Sequence, residues 1–166
     1  MTVVRAAITQ TTWTGDKESM LAKHEKFARD AAADGAQVIC FQELFYGPYF
    51  GITEDKKYYR YAEQADGPIV QRFAALAKEL GVVMILPIYE EDITGVYYNT
   101  AVIVESDGTI LGKYRKHHIP HLDKFWEKFY FRRATSATRC SRPRSDRSAS
   151  TSVTTGTSQR AGASSG

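Results

Sequence analysis

The chain has 166 residues, enough for one domain of ordinary size, with 43% hydrophobic residues and a formal net charge of +3. That charge is unevenly placed. Residues 133–166 carry six Arg against one Asp, whereas 1–132 carry 16 basic and 18 acidic side chains, so nucleic acid is not an expected partner of the folded part. Two cysteines are too few for a disulfide framework, Met1–Arg5 leads into a strand pattern rather than a signal peptide, and no apolar stretch approaches the roughly 20 residues that span a bilayer. A cytoplasmic setting without a membrane partner is expected.

Val3 to Gln10 reads as a buried strand. Thr14 to Asp16 offers helix caps, and Met20, His24, Phe27, Ala28 and Ala31 recur at helical spacing up to Gly35. Gln37 to Phe41 is a second short strand with Cys40 as a buried thiol, and strand–helix–strand predicts a parallel crossover. Tyr46 to Tyr61 is a loop or lid rich in aromatics and charges. Gly67-Pro68 opens a second helix with the stripe Ile69, Phe73, Leu76, Ala77 and Leu80, closed by Gly81. Val82 to Tyr89 is a third buried strand. Tyr97 to Glu105 and Thr109 to Tyr114 form a hairpin through Ser106-Asp107-Gly108. The class is α/β with part of the sheet antiparallel.

Two charged residues fall just past strands. Glu43 sits in Phe41-Gln42-Glu43-Leu44-Phe45, and Lys116 sits in Gly112-Lys113-Tyr114-Arg115-Lys116 ahead of His117-His118-Ile119-Pro120. Ligands of open α/β sheets bind beyond the strand ends, so both are candidate site residues; a solvated loop acid and an ordinary surface cation are the plain alternatives.

Residues 3 to 132 resemble the N-terminal half of the nitrilase, or carbon–nitrogen hydrolase, superfamily, nearest the N-carbamoyl hydrolases. The motifs are Ala6-Ala7-Ile8-Thr9-Gln10, Phe41-Gln42-Glu43-Leu44, Tyr98-Asn99-Thr100-Ala101, Gly112 to Lys116 with His118-Ile119-Pro120, and Glu127-Lys128-Phe129-Tyr130-Phe131. Each is weak alone; their order and spacing are specific. The resemblance implies an α-β-β-α sandwich and a Glu-Lys-Cys set acting on an N-carbamoyl amine, an N-carbamoyl amino acid or a related amide. Glu43 matches the general base, Lys116 the lysine that stabilises the tetrahedral intermediate, and Glu127 a second glutamate that positions substrate and lysine. A base beside a thiol and a fixed ammonium beside the developing oxyanion make coherent chemistry, in which neither metal nor organic cofactor takes part. Tyr49, among the aromatics Phe45, Tyr46, Tyr49 and Phe50, and His118 are candidate substrate-binding residues, with plain packing as the alternative. The His117, His118 and His121 cluster matches no standard zinc spacing.

The resemblance stops after Arg132. Residues 133–166 hold nine Ser, six Thr, six Arg and five Ala, with Val153 the only large aliphatic and no aromatic. This part is expected to be a disordered tail, 1–132 being a partial hydrolase domain. We read the break as a reading-frame change near codon 133 in a gene rich in G and C, a natural tail being the alternative. The family's nucleophilic cysteine is unmatched: Cys140 follows no strand and Cys40 precedes Glu43. The expectation is an inactive chain, poorly soluble or partly folded, with sheet edges and apolar surface left open. A pseudoenzyme that pairs with relatives and an RNA-binding Arg/Ser tail, through Arg142, Arg144 and Arg147, are the rival readings. Oligomers are common in the family, but the half that would carry the assembly is not matched.

Overall fold

A computed structural model describes residues 3–134. Apart from Arg133 and Ala134, the expected tail lies outside the described residues, and Cys140 with it. In chain order the elements are β1 (Ala6–Ile8), α1 (Lys17–Ala33), β2 (Val38–Cys40), a 3-10 helix (Lys56–Tyr61), α2 (Pro68–Leu80), β3 (Val83–Ile93), β4 (Val96–Val104), β5 (Ile110–Arg115) and α3 (Glu127–Tyr130). The five strands form one sheet in the order β1-β2-β3-β4-β5, parallel from β1 to β3 and antiparallel from β3 to β5. No helix among the described residues is long and apolar enough to cross a membrane.

Local chemistry explains the helices. Asp16 caps α1 by accepting the Ser19 amide at 2.9 Å, satisfying one of the donors that a helix start leaves open. Pro68 occupies the first turn of α2, where its missing N–H costs nothing. Both helices lie over one face of the sheet. The stripe Phe73, Leu76 and Ala77 is buried in one core with Ile39, Met84, Leu86, Val102 and Val104.

The β4–β5 turn forms at Ser106-Asp107-Gly108, with the Thr109 amide donating to the Asp107 carboxylate at 2.8 Å. Gly108 has φ +87°, and a Cβ there would meet the Ala74 carbonyl oxygen of α2 at 2.9 Å. Left-handed backbone and a closed approach both demand glycine. Gly108→Ala is therefore expected to destabilise the fold by about 2 kcal/mol, measured as a lower urea midpoint at unchanged slope.

The structure corrects four expectations. The first strand is three residues long rather than eight, and it is not buried: Val3 and Ile8 are 86% and 83% exposed. Among the described residues β1 is an edge strand, paired on one side only, with no layer over its outer face. For the same reason Cys40 is half-buried on the open face rather than a core thiol. The β3–β4 pair also runs further than expected, to a tight turn at Thr94-Gly95 with Ile93 opposite Val96. Finally, the 46–61 segment is no free lid. Phe50 is packed among Tyr58, Tyr89, Tyr130 and Phe131, with ring centroids 4.6–5.9 Å away. The Tyr130 hydroxyl donates to the Thr53 carbonyl at 2.6 Å and accepts the Asp55 amide at 2.9 Å. Aromatic area and these paired polar groups clamp the segment to the far end of β3 and β4.

Candidate active site

Glu43 follows β2 by three residues. Its approach is fixed from both sides: the Phe41 amide donates to Ile85 at 3.0 Å, and the Gln42 side chain accepts the Thr11 amide at 2.6 Å. Leu44, next in the chain, takes φ +53°, an uncommon value for a branched side chain, and turns inward to 2% exposure. That turn leaves the Glu43 carboxylate facing outward from the sheet end.

Lys116 follows β5 directly. Arg115 points to the helix-covered face, where its guanidinium forks onto the buried Glu90 at 2.8 and 2.6 Å and stacks on Tyr98 at 3.9 Å. Lys113 and Thr100 also donate to Glu90. Burial pushes the Glu90 carboxyl up, but these donors outweigh it and hold it below the usual carboxylate range. The cluster pins β5 to β3 across β4. Strand alternation then sends the next side chain, Lys116, to the opposite face.

There Lys116 meets both glutamates. Its Nζ lies 2.8 Å from Glu127 Oε2 and 3.3 Å from Glu43 Oε1. Glu127 opens α3, with only 3% of its side chain exposed. Burial pulls the Lys116 ammonium down, but the hydrogen bond to Glu127 and the charges of Glu43 and Glu127 raise it above its ordinary value. The ammonium is thus held charged between two carboxylates.

Two further residues complete the arrangement. The Tyr49 hydroxyl donates to Glu127 Oε1 at 3.0 Å, and burial, then the Glu127 charge, push its pKa up, so the phenol stays a donor. Gly51 allows this placement, since a Cβ there would lie 2.7 Å from the Tyr49 oxygen. Asn99 donates to Glu43 Oε1 at 2.5 Å, while its own carbonyl accepts the Lys116 amide at 2.8 Å. Asn99 and Lys116 both address Oε1, and among the described residues Oε2 takes neither donor. In the sequence Asn99 stands in the motif Tyr98-Asn99-Thr100-Ala101 with no role of its own assigned. Its signal was there: Asn is depleted in strands, and this one interrupts a run of β-formers in β4.

Glu43, Lys116, Glu127 and Tyr49 line one open cleft of about 470 Å³, walled otherwise by Pro120, Leu122 and Phe125. His118 is elsewhere. It is exposed and lines a separate depression with His117, Lys128 and Arg133. The chain has left β5 by then, so strand alternation no longer keeps residues 116 and 118 on one side. Phe45, Tyr46 and Phe50 are core residues, exposed by 1% or less. Another depression, beside Glu90 and Lys113, has its buried carboxylate fully paired. Among the described residues, no group of three His, Cys, Asp or Glu side chains could hold a metal ion.

Chemically, the cleft offers a carboxylate base, a fixed ammonium and a buried carboxylate that holds the ammonium. Such a set deprotonates a nucleophile and stabilises negative charge on a substrate oxygen. Cys40 is the only cysteine among the described residues. Its thiol contacts the Phe41 carbonyl at 3.7 Å, and burial pushes its pKa up.

Comparison with known proteins points the same way. The model of the carbon-nitrogen hydrolase family matches residues 5–164. N-carbamoylputrescine amidase of Arabidopsis thaliana is 42% identical over 117 residues, which cover 70% of this chain and 39% of that protein. Beta-ureidopropionase of the same plant is 37% identical over 103 residues, 61% of this chain and 25% of that one. Among solved structures, a carbon-nitrogen hydrolase from Helicobacter pylori G27 superposes with a TM-score of 0.75 at 32% identity, covering 79% of this chain and 45% of that one. The chain thus spans less than half the length of these relatives.

Proposed function

The chain belongs to the carbon–nitrogen hydrolase family, and we propose that Glu43, Lys116 and Glu127 are the base, oxyanion and positioning residues of a hydrolase acting on N-carbamoyl amines or N-carbamoyl amino acids. One observation carries the reading: a single ammonium held 3.3 Å from an outward-facing glutamate and 2.8 Å from a buried one, at the ends of the strands. In this role Glu43 Oε2 takes the proton of an attacking thiol. Lys116 faces the oxygen that becomes negative as sulfur bonds to the carbamoyl carbon. The amine or ammonia leaves, and water then cleaves the sulfur–carbon bond to free the thiol. Glu127 acts through Lys116, and Tyr49 acts through Glu127. The apolar wall of Leu122 and Phe125 faces the part of the substrate that does not react.

We further propose that this chain by itself turns over no substrate, because no cysteine among the described residues is placed beside Glu43 and Lys116. The test is ammonia release from N-carbamoylputrescine and from ureidopropionate. The chain itself is expected to give none. Residues 1–132 joined to the remaining half of the Arabidopsis N-carbamoylputrescine amidase are expected to give turnover, and Glu43→Gln in that chimera lowers kcat at least about a thousandfold with the fold intact. Full activity in the Gln variant would overturn the assignment of the base.

A further inference from the structure

Asn99 lies inside β4, where an asparagine is a poor choice for the strand: the type is depleted in sheets, and its polar side chain is buried here to 7% exposure. Thr100, the next residue, points to the helix-covered face and donates to Glu90 at 2.6 Å, so alternation leaves Asn99 on the face of the site. The strand order β2-β3-β4-β5 puts β3 between Asn99 and the end of β2. The Asn99 amide nonetheless reaches the Glu43 carboxylate, 56 positions away, and donates to Oε1 at 2.5 Å. A carboxylate only accepts, so the amide presents its nitrogen. On the other side the Asn99 carbonyl accepts the Lys116 amide at 2.8 Å, one rung beyond the Thr100–Arg115 pair. One residue therefore touches both the base and the backbone that carries the ammonium. We propose that Asn99 is a positioning residue that keeps Glu43 and Lys116 apart, so that the first meets a proton and the second meets a substrate oxygen. The catalytic half of this inference rests on the base and oxyanion roles proposed for those two residues.

The distances carry the argument. Glu43 Oε1 takes two donors, the Asn99 amide at 2.5 Å and the Lys116 ammonium at 3.3 Å. The ammonium makes its short contact with Glu127 instead, at 2.8 Å. Opposite charges attract more steeply as they close, and a lysine head on its flexible stem follows that attraction. With the near side of Oε1 taken by a neutral donor, the ammonium stops at the longer distance. An amide suits this place because a hydrogen bond to a carboxylate is strong even from an uncharged donor. It satisfies the oxygen without repelling the ammonium or drawing in another carboxylate. A tight Glu43–Lys116 pair would commit both groups to each other. The carboxylate would then be occupied when the thiol proton arrives, and the ammonium would face the developing oxyanion already neutralised.

Asn99→Leu removes the donor and keeps the volume. The backbone carbonyl remains in any variant, so the Lys116 amide keeps its acceptor. Two measurements test the proposal. The first uses the chain itself. Urea denaturation of Glu43→Gln, Lys116→Met and the double variant gives the coupling between the two charges, once in the parent and once in the Asn99→Leu background. The coupling is expected to be about twofold in the unfolding equilibrium of the parent and at least about fivefold larger in the Leu background. The second uses the chimera with the Arabidopsis half. There Asn99→Leu is expected to lower kcat about a hundredfold, with KM within about twofold and thermal stability no lower. An asparagine that merely packs predicts the reverse, stability lost and kcat kept. Should the Leu variant fail to fold, Asn99→Ala decides in its place without added bulk. Equal coupling in both backgrounds overturns the proposal. So does an unchanged kcat, and so does a raised KM at unchanged kcat, which would make Asn99 a substrate contact. A parent chimera without turnover tells against the catalytic roles of Glu43 and Lys116, and the coupling still decides whether Asn99 holds them apart.

Discussion

Lys116→Met is expected to destabilise the chain by about 3 kcal/mol, and a second change, Glu127→Gln, should restore most of that loss. Glu127 has 3% of its side chain exposed and Lys116 32%, so the pair is largely withdrawn from water. Removing the cation alone leaves a buried carboxylate with the Tyr49 hydroxyl as its remaining donor, at 3.0 Å. Breaking a buried pair from one side typically costs about 3–5 kcal/mol, and the partial exposure of Lys116 places this case at the lower end. Met keeps the length and apolar contacts of the lysine stem, so the loss reports charge rather than packing. Gln at 127 still accepts from Tyr49 but needs no counter-charge, and the double variant should lie within about 1 kcal/mol of the parent chain. Urea denaturation of the four chains measures the coupling. A single-variant loss below about 0.5 kcal/mol would mean that water already screens the pair, as at an ordinary surface ion pair. The result needs no catalytic turnover, so it tests the site in the chain as it stands.

The second large effect is an acid limb set by His24. This imidazole is fully buried, with ring centroids of Phe27, Phe41 and Phe45 at 5.8, 5.6 and 5.3 Å. Neither ring nitrogen has a hydrogen-bond partner among the described residues, and the Phe45 backbone lies near enough only to oppose the shift slightly. Burial first, and the Lys23 charge second, lower its pKa to about 4. In the unfolded chain it titrates near 6.5. Above that pH both states are neutral at this residue and His24 has no effect on stability. As pH falls below it the unfolded chain takes up the proton first. Stability therefore drops from about pH 6.5 to about pH 4 and levels off below, a total loss of about 3 kcal/mol from this group. His24→Leu should remove that slope while leaving stability at pH 7 within about 1 kcal/mol of the parent chain. Urea midpoints at pH 7 and at pH 4.5 read it directly, and an unchanged acid slope in the Leu variant would refute the assignment. Because Phe41 and Phe45 flank Glu43, the acid transition also loosens the segment that carries the base.

Features that depend on near neighbours in the chain were legible without coordinates. The Asp16 cap, the Pro68 start, the Ile69 to Leu80 stripe and the Ser106-Asp107-Gly108 turn each follow from bonds or contacts within a few residues. The positions of Glu43 and Lys116 just past their strands were readable for the same reason, from the strand patterns that directly precede them. The matched motifs added Glu127, whose role no local pattern announces. The role of Asn99 was not readable, because it depends on β4 lying between the ends of β2 and β5, and those residues are far apart in the chain.

Strand period and turn chemistry are local quantities, and the amino-acid sequence by itself determined them: which segments form elements, which side of each helix is apolar, and where two charged residues sit relative to strand ends. The tertiary structure alone decided which of those residues meet. It brought Lys116 to Glu43 across 73 positions and Tyr49 to Glu127 across 78, sent His118 away from the cleft, and closed His24 in. Among the described residues it also placed β1 at an edge of the sheet, with both helices on one face. An alternating or apolar run tells which way side chains point, but whether another layer waits on that side depends on elements the run does not contain.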